Sequence, residues 1–550
     1  MILNLFHPLS LCIAGLLALA GCNLAKDSPA YATVEAGKGH VRLQASPMSP
    51  KAAMGALAQD ALDSRSAKVT PSPAAPARCN DAEKAKSARR VRADIRIDYG
   101  SKTADVVQST VFHNLENDAL AAIVLDVQAN QWAEGFTLMD LTVNDEPAAY
   151  ELDLNRMQIN LNAPLESGCW LALGLKFRLQ PAEIRDGLRS YRGFYGYSPR
   201  QLNLGHFLPT IAARLDGDWR IHEPIGIGEQ VVYEAADWHV NLSVENTTDA
   251  LMLAAPGTVT ALGSNAWEIE LINSRDFAIS VSDQMIAAER QISENQTVEV
   301  YSFADAQINA NGIRLDGAQH VLIQAEKALR LYERQFGPYD RERFVIVQGD
   351  FPDGMEFTGL VFVGGAWFTN FDGGIRNYLT LISVHEIAHQ WWYARVGNDS
   401  ALNPWLDEAL ATYSEYLFIE EHYPADKNWW WTFRVAGFFP QGKVDSNVYE
   451  FATARAYINA VYLRGVQMLH NLRVNIGDEE FFKLLRAYLA AGDGKIADPT
   501  LFWRQLPLEQ RVLTRATRIE YLADADDDAL FGEAAHGTRS PATTEDEKSP

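Results

Sequence analysis

Positive charge is what this chain most lacks: 48 Lys and Arg stand against 71 Asp and Glu, a net charge of −23 over 550 residues. Phosphate recognition needs Lys and Arg gathered into a stripe, and none occurs, so a nucleic-acid partner is excluded from the reading. Part of the acidity is a tail, with Asp524, Asp526, Asp527, Asp528, Glu533, Glu545, Asp546 and Glu547 in a stretch poor in aromatics and expected to be solvated. Long apolar runs are missing too. Leu9–Ala20 is shorter than the roughly 20 residues that a spanning helix needs. No internal repeat is visible. Cysteine is scarce at four, which rules out a disulfide-dense scaffold. What is abundant is globular composition: 47% hydrophobic residues and 22% charged ones can fill more than one buried core, so two or three domains are expected.

The chain begins with a segment to set aside before any fold argument. Leu9–Ala20 reads as the apolar part of a secretory signal, with His7 the sole cationic candidate before it. Its end, Leu19-Ala20-Gly21-Cys22, resembles a bacterial lipobox, which implies a signal over 1–21, a lipidated Cys22, and a tether that does not span the membrane. A plain cleaved signal or an uncleaved anchor is the alternative. The lipobox reading places the protein in the bacterial cell envelope, facing the periplasm. In that oxidising compartment Cys79 and Cys169 could pair, or stay as two buried thiols. Residues 22–90 are rich in Ala, Ser, Lys and Pro, and read as a linker stiffest at Pro71–Pro76.

At Val91–Tyr99 apolar and charged residues begin to alternate, as a half-buried strand requires. Leu171, Leu173, Leu175, Phe177 and Leu179 repeat the pattern, as do Trp238, Val240, Leu242 and Val244, and then Trp267, Ile269 and Leu271. Residues 91–305 are therefore expected to form a mostly antiparallel β domain. Helical spacing follows from Gly317 to Phe336 and stops at Gly337-Pro338. An apolar strand at Phe344–Val347 and extended pieces around Glu356 and Gly359–Val363 precede long helical patterns from Tyr378 to about Tyr521. The second unit is set at 306–522 and the tail at 523–550.

The chemistry is concentrated at His385-Glu386-Ile387-Ala388-His389. Residues four apart share a helix face, so the two histidines can bind one ion while Glu386, pointing elsewhere, acts as general base on a water in an open coordination position. Eighteen residues separate His389 from Glu408. That is room for the helix to end near Gly397-Asn398, loop through Asn403-Pro404 and start a second helix carrying a third ligand. Such a nitrogen and oxygen set favours one zinc ion. Glu415, two turns beyond Glu408, suits a group that orients a ligand histidine, or equally a solvated helical acid.

These residues, with Gln390-Trp391-Trp392 and Trp405-Leu406-Asp407-Glu408-Ala409, resemble the gluzincin metallopeptidases of the alanyl aminopeptidase group, which includes aminopeptidase N and leukotriene hydrolase. Asp353-Gly354-Met355-Glu356-Phe357 is similar to that group's Gly-x-Met-Glu-Asn element, which implies that Glu356 holds the substrate's free α-amine; Asp353 and Phe357 stand where the element has its first Gly and final Asn. Tyr462-Leu463-Arg464-Gly465 resembles its Tyr-x-Lys-Gly element, which implies that Tyr462 stabilises the oxyanion. The alternative for Tyr462 is a packed aromatic on a helix, with Tyr457, five residues earlier, as the rival candidate. The resemblance covers residues 90–500. It implies an α+β fold, with a saddle-like antiparallel β domain before a thermolysin-like, mainly helical zinc catalytic domain, and a zinc-dependent aminopeptidase acting on peptides. The alternatives are a non-catalytic scaffold or binding protein that retains the fold, and a zinc endopeptidase or other hydrolase.

Overall fold

The computed structural model describes residues 67–68, 79, 89–185, 192–310 and 312–525. The expected signal, Cys22, almost all of the linker and the tail from 526 lie outside the described residues.

The alternating segments form the first unit. Its largest sheet has eight strands, in the order 258–263, 266–274, 236–245, 89–98, 103–113, 170–179, 136–143 and 146–147. Neighbours run antiparallel except 236–245 with 89–98, which are parallel. Val91, Ala93, Ile95 and Ile97 face inward between exposed charged residues, which is why one face of this strand builds a core and the other meets water. Two five-stranded sheets share that core through Ile123, Leu125, Leu204 and Ile279. Cys79 and Cys169 are joined as a disulfide, with their Cα atoms 4.3 Å apart.

The second unit is built on a five-stranded sheet. Its strands are β1 (Ile286–Ser293), β2 (Gln296–Ser302), β3 (Arg343–Gly349), β4 (Met355–Phe357) and β5 (Leu360–Gly364), arranged 1-2-3-5-4. β2, β3 and β5 are parallel to one another, while β1 and β4 are antiparallel edges. Two of these strands precede residue 306, where the sequence reading starts the second unit. The run Phe344–Val347 is apolar at every position because both faces of β3 are covered. Phe344 and Ile346 pack among the helices, and Val345 and Val347 join the core of the first unit.

Helix α1 (Gly317–Gln335) is capped by the Asp316 carboxylate, which accepts from the Gln319 N–H. Helix α2 (Tyr378–Ala388) is capped in the same way by Asn377, and is buried from Leu379 to Ala388. Helix α3 (Trp405–His422) follows, buried through Ile419, and α4 (Gly465–Ile476) packs against it. Among the described residues no helix is long and apolar enough to cross a membrane.

One side chain stitches the two units. Arg275 is 1% exposed and donates to five carbonyls: Tyr233 at 2.9 Å, Tyr393 at 2.7 Å, Ala394 at 3.1 Å, Arg395 at 2.9 Å and Lys495 at 2.7 Å. Beside it the Asp276 carboxylate accepts from the Tyr393 hydroxyl and from the Thr358 N–H at 2.9 Å. Arg275→Met would leave several buried carbonyls without a donor, so we expect a loss of about 3 kcal/mol or more in urea unfolding. Unchanged stability would contradict this role of the seam.

Candidate metal centre and active site

The sequence reading carries the motif helix to near Gly397-Asn398, but α2 ends at Ala388 with His389 as its cap. Both Trp391 and Trp392 are fully buried, and the chain turns to seat the two indoles; Gly397–Asn398 becomes a short strand. The turn has a chemical consequence. It brings the Trp392 carbonyl back to His389 Nδ1 at 3.0 Å, which places the proton on Nδ1 and leaves Nε2 free.

His385 is oriented from the other side. Its Nδ1 lies 3.0 Å from Glu415 Oε1, so Glu415 is a buried orienting acid and not a solvated one. The two Nε2 atoms then point at a common place with Glu408 Oε2. They stand 3.1 Å apart, and the carboxylate oxygen is 3.3 Å from His385 and 3.6 Å from His389. Donors each about 2.05 Å from one ion at a tetrahedral angle are separated by about 3.3 Å, so this triangle has the dimensions of one face of a zinc site. Glu408 is delivered by the first turn of α3, where the Asp407 carboxylate accepts the Glu408 N–H at 2.7 Å.

Electrostatics match a cation site. Burial alone would raise the Glu408 carboxyl, but hydrogen bonds to His385 and His389 outweigh it and hold it below the usual carboxylate range. Burial likewise opposes charge on His385, yet the bonds to Glu408 and Glu415 hold its pKa at about 9. A proton and a metal ion thus compete for the same nitrogen.

Glu386 is 5% exposed, and its Oε2 has no hydrogen-bond partner among the described residues. Burial pushes its carboxyl well above the ordinary range, against the pull of His385. It is packed against the start of β4: a Cβ added at Gly354 would meet Glu386 Oε1 at 2.0 Å, so only glycine fits there. Glu356 lies on β4, an edge strand of the sheet, with its carboxyl pushed up to about 7 by burial. Glu356, Glu386 and His389 also bring ligand atoms within 4.8 Å of one another. The Tyr462 ring stacks on His385, with centroids 6.0 Å apart and planes 5° from parallel. Tyr457 packs edge-on against Tyr462 at 5.5 Å and supports its ring.

Two contributors were not visible as site residues in sequence. Gln390 accepts from the Gly359 N–H at 2.8 Å and donates to the Phe357 carbonyl at 3.0 Å, clasping the β4–β5 turn to the end of α2. Its place directly after His389 was the one available signal. Glu229 comes from the first unit and is half-buried; its carboxyl is pushed up to about 8 by burial and by the charge of Glu356. No local pattern marks it.

Taken together, a sheet whose edge strand β4 carries Glu356, a helix supplying His-Glu-x-x-His and a second helix supplying a glutamate define a gluzincin metallopeptidase architecture. Residues 321–519 match the description "Peptidase family M1 domain". Over that stretch, about a third of the chain, the sequence is similar to the M1 peptidase family. It is 30% identical over 196 residues to aminopeptidase N of Lactobacillus delbrueckii subsp. lactis, covering 31% of this chain and 23% of that protein. It is 25% identical over 211 residues to probable aminopeptidase 2 of Sulfurisphaera tokodaii, covering 35% and 27%. The matches thus span about a quarter of these relatives' length. In fold it is similar to the M1 zinc metallopeptidase of Deinococcus radiodurans, with TM-score 0.54, 18% identity, and 78% of this chain and 92% of the other covered.

The metal centre is testable by itself. Purified protein should hold about one zinc per chain, and His389→Ala close to none, by elemental analysis. Because the acids beside His385 and His389 favour their protonated forms and both rings must be neutral to bind, apparent zinc affinity should weaken as pH falls below about 9, read by chelator competition. An affinity flat between pH 6 and pH 8 would contradict the proton competition.

Proposed function

We propose that the protein is a zinc-dependent aminopeptidase that removes N-terminal residues from peptides. The observation that carries this reading is Glu356 on an edge strand of the sheet, directly beside a metal-sized triangle of donors and Glu386, whose Oε2 has no hydrogen-bond partner among the described residues. An extended peptide can add to that edge as a strand, and a carboxylate at its end takes the α-ammonium, so that register is counted from the first residue.

Zinc, when bound, acts as a Lewis acid on the scissile carbonyl and lowers the pKa of water. The chain's own groups supply the rest. Glu386 takes the proton of the attacking water and hands it to the leaving amine. The countercharge that lets this buried carboxyl ionise would come from the ion that His385, His389 and Glu408 would hold. Tyr462 donates to the developing oxyanion, and its phenol stays protonated because burial and Glu408 raise its pKa. His385 and His389 are held in one tautomer by Glu415 and the Trp392 carbonyl.

Glu386→Gln should lower kcat by about 10²–10⁴-fold with zinc content unchanged, and Tyr462→Phe by about 10²–10³-fold. A Glu386→Gln variant that turns over like the wild type would remove Glu386 from the general-base role, whereas a zinc-loaded wild type without turnover on any peptide would favour a scaffold role for the fold. Matched peptides with free and acetylated N termini test the exopeptidase step: only the free form should be cleaved, and equal cleavage would indicate an endopeptidase. The Leu19–Cys22 run supports an envelope-facing enzyme tethered by lipid. Labelling with a fatty-acid analogue should mark the wild type and not Cys22→Ser; equal labelling of both would remove the tether from the reading.

A further inference from the structure

The carboxylate that orients His385 is itself gripped. Arg434 donates from Nε to Glu415 Oε2 and from Nη2 to Glu415 Oε1, both at 2.9 Å. The same Oε1 lies 3.0 Å from His385 Nδ1. All three groups are out of water, with Arg434 7%, Glu415 0% and His385 5% exposed. Arg434 comes from neither motif helix. It sits in a π-helical turn, Trp431–Val435, and such wide turns are rare and aim a side chain off the ordinary helical register. The hydrogen bonds that reach the Glu415 carboxylate come from His385 and Arg434. Its plane is therefore set by the guanidinium fork.

We propose that Arg434 is a positioning residue for the metal centre, fixing the Glu415 carboxylate so that His385 presents Nε2 to the ion. The inference rests on the zinc reading above. A planar fork satisfies both carboxylate oxygens at once and leaves the second lone pair of Oε1 directed at Nδ1, which a lysine, a single point donor, does not enforce. Without the fork Glu415 is a wholly buried carboxylate with one partner, an arrangement costly enough to drive it to a new rotamer. His385 would lose its fixed acceptor, and with it both its ring orientation and the certainty that the proton is on Nδ1. Arg434 acts at one remove: it touches neither the ion nor a peptide, and its effect belongs in metal affinity.

The test is zinc affinity of the full-length protein, measured by competition with a chromophoric chelator, for wild type, Arg434→Met, Arg434→Lys, Glu415→Gln and the Arg434→Met/Glu415→Gln double variant. Arg434→Met should weaken zinc binding by about 10–100-fold, and Arg434→Lys by less. In the Glu415→Gln background Arg434→Met should cause no further loss, because the arginine works through that carboxylate. Wild-type affinity in Arg434→Met, or the same fold-loss in both backgrounds, would overturn the proposal, the second result indicating a merely structural arginine. If Arg434→Met does not fold, Arg434→Lys alone and with Glu415→Gln carries the same cycle. A wild-type protein that binds no zinc would overturn the metal site itself, a result distinct from variants that bind as tightly as wild type.

Discussion

The structure turns on holding three metal-binding atoms about a tetrahedral edge apart in a place that water barely reaches. Two imidazoles and a carboxylate left to themselves would form a hydrogen-bonded cluster or face solvent. Here each is committed from behind: His385 by Glu415, His389 by the Trp392 carbonyl, and Glu408 by its place in the first turn of α3. Neutral histidines with their protons on Nδ1 are what a cation requires, and the surrounding acids make the site attractive to positive charge. On the aminopeptidase reading proposed above, the same acids that draw the ion would also draw a substrate ammonium.

The two units are not independent bodies with a site on one of them. The central sheet is covered by helices on one face and by the β unit on the other, and its outer strand carries Glu356. The turn that follows Glu356 is held from both sides, by Gln390 from the metal helix and by Asp276 from the β unit. Phe357, where the family pattern has asparagine, is fully buried against Phe194 and His206, with centroids 5.9 Å and 4.7 Å away. It anchors the strand end into the seam and leaves Glu356 at the edge. A cavity-forming change in that seam should therefore reach Glu356 before it reaches His385, His389 and Glu408.

Much of this was legible in sequence where a period or a fixed spacing carries the physics. Alternation at Val91–Tyr99 marked a strand buried on one face, and spacing of four marked His385 and His389 as neighbours on a helix. The trace of α2 past His389 was not legible, because its end is decided by where two adjacent indoles find room, which is a tertiary matter. Glu415 had two readings until the His385 ring was seen to reach it. Glu229 and Arg434 were silent for the same reason: one arrives from another unit and the other from a π-helical turn, and neither contact has a local signature.

The central claim is the ligand set, and the most direct measurement is anomalous diffraction at the zinc edge from crystals of the zinc-loaded protein. The account predicts one peak about 2.0–2.2 Å from the Nε2 atoms of His385 and His389 and from a carboxylate oxygen of Glu408. A peak ligated instead by Glu356 and Glu386 with His389, or the absence of any peak at this site, would contradict it.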